Sequence, residues 1–277
     1  MSLFIVAGSP VSHSLSPAMH NAAFKALGMD DHHYGAVQVG IGDVDSVVSM
    51  LRSGRIAGAN VTYPLKTVMA SRVDALEGVA REIESVNTLV PHAGTVSGLS
   101  TDGDGCVRAL ESRGVSLEDA SILLIGAGGA ARSIAVSLAH ARPRSITVAN
   151  RTLEHARHLA RRLEDMAPAA GVALDALTDH ASKADVIIQA TSVGMRHHVA
   201  ELPLADASLA HHPTVMDIVY DPLETPLLSQ ARKAGCPIVD GIDLLVWQGA
   251  LSFQAWLGVV PPVDAMQKAA RAAGGRP

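Results

Sequence analysis

The sequence predicts an α/β protein of two domains, on three observations. Short apolar runs of strand length alternate with helical stretches along the whole chain. The pattern restarts at SILLIGAGGAARSIAVSLAHARPRSITVANRT, which reads strand, glycine turn, helix, strand: a complete βαβ unit. The length, 277 residues, is long for one core and comfortable for two. The expected borders put 1–102 with 241–277 in one domain and 103–240 in the other.

The elements follow in order. LFIVA (3–7) is a strand, and a helix runs from Pro17 to about Leu27. Ser16 is its expected N-cap, Pro17 suits the first turn, and Gly28 sits where a terminating glycine belongs. YGAVQV (34–39) reads as a strand, 43–53 as a helix, and IAGANV (56–61) as the next strand. The stretch 72–84 is expected to be helical. VNTLV (86–90) and TVSGLS (95–100) form a hairpin around His92-Ala93-Gly94, and a helix spans about 105–112. After the βαβ unit, strands are expected at 185–190, 214–218 and 237–239, with helices between. Residues 242–273 are helical twice, divided near Gly258 to Pro262.

Composition excludes several function classes. Aromatic residues are only 3%, too few for base stacking, and the net charge is −5 with no basic block, so no nucleic acid is expected as partner. No apolar run approaches the roughly 20 residues of a membrane span. The opening MSLFIVAGSP lacks the features of a signal peptide and reads as the first strand. Cys106 and Cys236 belong to no CxxC pair; two small buried hydrophobes in a reducing cytoplasm fit them. The histidine pairs His32-His33, His197-His198 and His211-His212 show neither HExxH nor zinc spacing, so no metal is expected.

Gly126-Ala127-Gly128-Gly129-Ala130-Ala131 follows the apolar run Ile122 to Ile125 and opens a helix. This is G-x-G-x-x-A in a strand–turn–helix context. Gly126 makes the tight turn, Gly128 lets backbone approach a pyrophosphate, and Ala131 lets helix and strand pack closely. The helix N-terminus supplies free amides and partial positive charge. The chain therefore carries a Rossmann-type, doubly wound dinucleotide-binding domain. Where an NAD enzyme places Asp or Glu after the second strand, this sequence has Asn150-Arg151-Thr152. The Arg151 guanidinium can pair with a 2′-phosphate that a carboxylate would repel, so NADP is favoured.

Two further stretches read as chemistry. In GSPVSHSLSPAMHN (8–21), the hydroxyls of Ser14 and Ser16 beside a helix start make a carboxylate cradle. In NVTYPLK (60–66), a buried strand ends in an amide, a hydroxyl, a proline and a lysine. Asn60, Thr62 and Lys66 share one face at period-two spacing if the strand persists that far.

Ser14 to Pro17, Gly58 to Lys66, Ser85 to Leu89, Thr101-Asp102-Gly103, Gly126 to Ala130, Asn150 to Thr152, Ala190 to Met195 and Gly241 to Gln248 occur in the order found in shikimate dehydrogenases. The chain resembles that family, which includes quinate/shikimate dehydrogenases, over nearly its whole length. The resemblance implies an N-terminal α/β substrate domain and the Rossmann-type domain, with the site in a cleft between them. It implies NADP-linked, reversible reduction of 3-dehydroshikimate to shikimate. Ser14 and Ser16 should hold the substrate carboxylate, with Tyr220 nearby. Asn60, Thr62, Asn87 and Gln248 should bond the ring hydroxyls, and Lys66 and Asp102 form the catalytic pair. Thr191 and Gly241 fall in the family segments beside the cofactor.

Three positions depart from the family pattern: Ser100 replaces an asparagine, His155 a basic residue, and Tyr63 something smaller. By alternation Tyr63 should point away from substrate and pack. Asp104, Asp185, Asp243 and His13 are read as structural. Two alternatives stand beside the main reading: a quinate/shikimate dehydrogenase of broader cofactor or substrate range, and a redox-silent dinucleotide-binding sensor. The second expects a broken catalytic pair, whereas both Lys66 and Asp102 are present. Monomer and homodimer both suit the architecture.

Overall fold

The computed structural model describes residues 1–196 and 202–275. The chain divides into two compact units, residues 1–105 with the stretch from Leu245 onward, and Cys106–Leu244. The borders expected from sequence lie at 102/103 and 240/241.

The first unit opens with β1 (Ser2–Gly8), α1 (Ser16–Ala26), β2 (His32–Gln38), α2 (Val44–Arg52) and β3 (Gly58–Val61). Then come α3 (Lys66–Ala70), β4 (Ala75–Leu76), α4 (Val79–Ile83), β5 (Thr88–His92) and β6 (Thr95–Leu99). Its sheet has the order β2-β1-β3-β5-β6-β4. β1 is parallel to both β2 and β3, β5 runs antiparallel to β3 and β6, and β4 is parallel to β6. Ile5 and Ala7 of β1 enter one core with Val44, Val47, Val48 and Leu51, the apolar stripe of α2. Phe4, on the opposite face of β1, meets the rings of Phe24 and Trp256. Both faces are thus covered, which is why β1 reads as a continuous apolar run.

The expected helix over 72–84 is absent. A turn, the short strand β4 and then α4 stand there. Asp74 accepts from the Val96 amide at 2.7 Å and pairs with Arg52 at 2.9 Å, while Val73 and Leu76 pack on the core. Gly78, at φ +53°, breaks the chain before α4. Tertiary partners have overridden local helix preference.

α5 (Asp102–Ser112) leads into the second unit. There follow β7 (Ser121–Ile125), α6 (Gly129–His140), β8 (Ser145–Asn150), α7 (Leu153–Arg161), β9 (Ala169–Ala173) and α8 (Leu177–Ala181). β10 (Val186–Gln189), β11 (Thr214–Asp217), α9 (Pro226–Lys233) and β12 (Ile238–Val239) complete it. The sheet is parallel throughout, in the order β12-β11-β10-β7-β8-β9. The chain leaves β7 towards β8 and β9, then returns to the other side for β10. Its order reverses between β7 and β10, the place where doubly wound sheets take their ligands. AAGVA, a run of small residues, gives no strand signal, yet it forms β9. It does so because it pairs with β8 and because Gly171 fits under α7, where a Cβ would lie 2.6 Å from the Arg157 Cα.

The chain closes with α10 (Gly241–Leu257) and α11 (Val263–Gly274). The aromatic face of the first unit gathers Phe253 and Trp256 of α10 around Phe4, His20, Phe24 and Tyr34.

Both cysteines are free and buried. Among the described residues no helix is long and apolar enough to cross a membrane, and no group of three or more His, Cys, Asp or Glu could hold a metal ion. His32 pairs with Asp31 at 2.6 Å and His211 bonds the Ala184 carbonyl at 2.8 Å. His197-His198 lies outside the described residues.

Candidate active site

Within the first unit, β3 stops at Val61. The Thr62 amide still donates to Ala7 O at 2.9 Å, and the Leu65 amide donates to Thr62 O at 2.8 Å, closing a turn that launches α3 at Lys66. The period-two alternation through Lys66 therefore fails: that lysine stands on the first turn of a helix. Tyr63 does not pack, since 75% of it is exposed. The turn projects it to solvent.

Lys66 Nζ donates to Asp102 Oδ2 at 2.6 Å. The lysine side chain is 30% exposed and the aspartate 14%, so the pair is shielded yet open to a small molecule. Asp102 heads α5, whose N-terminal dipole favours a carboxylate. Its second oxygen, Oδ1, accepts from Asn87 Nδ2 at 2.9 Å. The orientation of the Asn87 amide is not arbitrary. The Thr101 backbone N–H can only donate, and it lies 2.8 Å from Asn87 Oδ1. The amino side must therefore face Asp102, the Thr101 hydroxyl at 2.9 Å and Gln248 Oε1 at 3.3 Å. Gln248 reaches this spot because Gly105 has no side chain: a Cβ there would lie 2.7 Å from the Gln248 Cβ and amide N.

Asn60 points into the protein. Its Oδ1 accepts from the Tyr34 hydroxyl at 2.7 Å, and its Nδ2 faces Asn87 O, Thr88 Oγ1 and Ser252 Oγ at 3.0–3.1 Å. Burial pushes the Tyr34 phenol well up, against a hydrogen bond with Ser16. Helix α1 begins at Ser16, with Leu15 in the cap position and no side-chain cap, so Ser16 is not the N-cap. Ser14 accepts from the Ser16 amide at 3.3 Å and so has a structural duty as well. His13 is exposed. Asp104 lies in the first turn of α5; Asp243 pairs with Arg113 at 2.8 Å, and Asp185 accepts from the Ser121 amide at 2.7 Å.

In the second unit, Gly126 has φ +118°. A Cβ there would lie 2.8 Å from Ala190 O and 2.9 Å from Thr191 Cγ2, so the turn after β7 sits tight against the end of β10. Gly128 and Gly129 are exposed, and a Cβ on either would meet nothing within 4 Å. Protein packing does not demand glycine at these two positions, whereas a phosphate lying on the backbone would. Gly128 is the cap residue of α6 and no side chain caps that helix. Asn150 Nδ2 donates to Thr152 O at 3.0 Å, and Arg151 and Thr152 are exposed at the start of α7. These residues fit a dinucleotide: an open glycine shelf on a helix N-terminus, with a guanidinium past the next strand. His155 is exposed in the first turn of α7. Gly241 lets α10 begin close to the end of β11; a Cβ there would lie 2.5 Å from Ile218 O. Tyr220 is mostly buried, which raises its phenol pKa, with Asp221 adding to the rise.

A buried polar cluster has almost no signature in the sequence. Asp217 Oδ2 accepts from Thr225 Oγ1 at 2.6 Å, and its Oδ1 from the Val219 amide at 3.0 Å. Burial raises its carboxyl to about 6, against those two bonds. Thr225 in turn caps α9 through the Leu228 amide at 3.3 Å. The one available signal was an acidic residue closing an apolar strand, VMD.

Three family models match the chain: the shikimate dehydrogenase substrate binding domain over residues 6–89, shikimate/quinate 5-dehydrogenase over 108–216, and the shikimate 5'-dehydrogenase C-terminal domain over 241–271. A shikimate dehydrogenase (NADP(+)) of Bacillus mycoides (strain KBAB4) is 42% identical over 267 residues, covering 96% of each chain. Among solved structures, the shikimate 5-dehydrogenase of Listeria monocytogenes in complex with shikimate and NAD superposes with a TM-score of 0.90 at 32% identity, covering 97% of this chain and 96% of that one. The Thermus thermophilus enzyme in complex with NADP(H) and shikimate gives 0.88 at 34% identity, covering 99% and 100%. Identity above two-fifths across nearly the full length, with matches in all three segments, leaves one conclusion: this chain belongs to the shikimate dehydrogenase family.

Proposed function

We propose that this chain catalyses the NADP-dependent, reversible reduction of 3-dehydroshikimate to shikimate, with Lys66 and Asp102 as the proton-transfer pair. The observation that carries the reading is the shielded 2.6 Å contact between them, with Asn87 on the other carboxylate oxygen. Bound NADPH supplies the hydride. As negative charge grows on the substrate's carbonyl oxygen, the Lys66 ammonium stabilises it and donates a proton. In the reverse direction Lys66 accepts the proton of the alcohol. Asp102 holds the ammonium in place, and Asn87 holds Asp102.

Ser14 and Ser16 are the proposed carboxylate cradle, with Tyr220. Thr62, Asn87 and Gln248 take the ring hydroxyls. Asn60, whose amide is already engaged, supports them from behind. Gly126, Ala127, Gly128, Gly129 and Ala130 form the pyrophosphate shelf. Asn150, Arg151 and Thr152 take the 2′-phosphate, and Thr191 and Gly241 flank the cofactor. Residues 1–102 with 241–277 are the proposed substrate-binding domain and 103–240 the NADP-binding domain. Two free, buried thiols suit the cytoplasm as the compartment. Light scattering decides between monomer and homodimer.

The test is a matrix of shikimate and quinate against NADP+ and NAD+. Highest kcat/KM for shikimate with NADP+ is expected; quinate with NAD+ in first place would overturn the proposal in favour of a quinate dehydrogenase.

A further inference from the structure

Behind the candidate site lies a buried layer of hydroxyls. Ser252 and Thr88 are fully buried and carry no assigned role. Their oxygens lie 2.7 Å apart. Thr88 Oγ1 also donates to Asn87 Oδ1 at 3.0 Å and lies 3.1 Å from Asn60 Nδ2, whose two hydrogens are shared among three acceptors. Ser252 Oγ accepts from Asn60 Nδ2 at 3.0 Å and can donate to Gln248 O, one helical turn back, also at 3.0 Å.

Each hydroxyl has one hydrogen, so the arrangement has limited options. If Thr88 donates to Asn87 Oδ1, the short contact must be Ser252 donating to Thr88. Ser252 then accepts from Asn60, whose remaining N–H is directed at Asn87 O. In this arrangement the hydrogens of Thr88, Ser252 and Asn60 each have an acceptor, and Asn87 Oδ1 accepts from the Thr101 amide and Thr88. The Thr101 hydroxyl joins the same layer, accepting from Asn87 Nδ2 at 2.9 Å and lying 3.2 Å from Asn87 Oδ1 and 3.3 Å from Ser252 Oγ. The Asn87 amide is then clamped with Nδ2 directed at Asp102 Oδ1. In a buried setting such a chain resists reorientation, because turning one member leaves another without a partner.

We propose that Thr88 and Ser252 are positioning residues for the reaction: they lock Asn87, which fixes the Asp102 carboxylate against Lys66. They touch neither substrate nor cofactor. Their effect falls chiefly on turnover; because Asn87 is also a proposed ligand of the ring hydroxyls, KM for shikimate rises by a smaller factor than kcat falls. This inference rests on the functional reading above, since it needs Lys66 and Asp102 to perform the proton transfer.

The experiment compares Thr88→Val, which keeps the shape and removes the hydroxyl, with Thr88→Ser, which keeps the hydroxyl, and with Ser252→Ala. Steady-state kinetics with shikimate and NADP+ and the thermal midpoint are measured for each. Thr88→Val is expected to lower kcat about tenfold, the size of one lost buried hydrogen bond, with KM for shikimate within about twofold of the unaltered chain. Thr88→Ser restores most of kcat, and Ser252→Ala gives a smaller loss of the same pattern. Should Thr88→Val fail to fold, Ser252→Ala carries the test alone. Unchanged kcat in the folded variants overturns the proposal whatever the thermal midpoint does. So does a raised KM at unchanged kcat, which would make these hydroxyls substrate ligands, and so does a loss that Thr88→Ser does not restore. The unaltered chain separates the two levels: no turnover of shikimate with NADP+ there sinks the functional reading and this inference together, whereas normal turnover with unaffected variants sinks this inference only.

Discussion

Lys66 and Asp102, 36 residues apart in sequence, meet at 2.6 Å because the turn after β3 and the start of α5 converge in one unit. Both side chains spring from anchored backbone. Lys66 is the first residue of α3, and its carbonyl accepts from the Val86 amide at 3.1 Å. Asp102 follows Thr101, whose amide is tied to Asn87. The backbone carrying the pair is therefore fixed on both sides, and Asn87 holds the second carboxylate oxygen, which is the preorganisation that proton transfer needs.

Cofactor choice turns on Arg151. Replacing it with Ala removes the guanidinium proposed for the 2′-phosphate. NADP+ affinity is expected to fall by about 10- to 100-fold, the range of a charge-assisted hydrogen bond, with NAD+ affinity unchanged. Equilibrium titration with both dinucleotides checks this. An equal loss for both would assign Arg151 to the fold alone.

The glycine shelf separates structure from binding. Gly126→Ala puts a Cβ at φ +118° and 2.8 Å from Ala190 O, so it should lower stability by about 2–3 kcal/mol. Gly128→Ala meets nothing within 4 Å and should leave stability within about 0.5 kcal/mol while weakening NADP+ binding about tenfold. Denaturant melts and dinucleotide titration of both variants read the contrast. Full-strength binding by the Gly128 variant would remove the shelf from the cofactor site.

This shelf was legible in the sequence, because a strand, a glycine turn and a helix are local. The partners of the shelf were less so. β9 is built of Ala, Gly and one Val and owes its existence to β8 and α7, which periodicity cannot see. The helix expected over 72–84 dissolved because Asp74 found Arg52 and the Val96 amide, each about twenty residues away. In the candidate site the residue types were readable, but their division of labour was not. Asn60 looked like a ligand for substrate, yet its amide is taken up by Tyr34, Thr88, Ser252 and Asn87. Thr88 lies in the family segment Ser85 to Leu89 but nothing there marked its hydroxyl for a role, and Ser252 carried no signal, since single hydroxyls in apolar segments are common.

His20 makes stability acid-sensitive. It is fully buried, its two nitrogens have no partner among the described residues, and its ring stacks on Tyr34 at 4.3 Å. Burial lowers its pKa from 6.5 to about 3. The unfolded chain therefore binds a proton below pH 6.5 that the folded chain refuses. This group's contribution is fully present above 6.5 and is lost as pH falls towards 3, at about 1.4 kcal/mol per pH unit. His20→Phe keeps a stacking ring and should flatten the decline between pH 6.5 and 4.5 in urea melts. A slope equal to that of the unaltered chain would contradict the assignment.

Asp217 works in the opposite direction. Its folded pKa of about 6 lies above the ordinary 3.8, so the folded state takes up an extra proton between those values. Its contribution improves as pH falls through 6. Asp217→Asn should lie within about 1 kcal/mol of the unaltered chain at pH 7.5 and lose ground to it between pH 6 and 4. Asp217→Ala strands the Val219 amide and the Thr225 hydroxyl and should cost about 2–3 kcal/mol. Equal stability of the Ala and unaltered chains at pH 7.5 would show the cluster to be dispensable.

The most direct measurement is turnover and cofactor binding on one preparation of Lys66→Ala. The expected result is kcat with shikimate and NADP+ reduced by about 10³-fold or more, with the dissociation constant for NADPH within about twofold of the unaltered chain. Turnover that survives the loss of this ammonium would contradict the account at its centre.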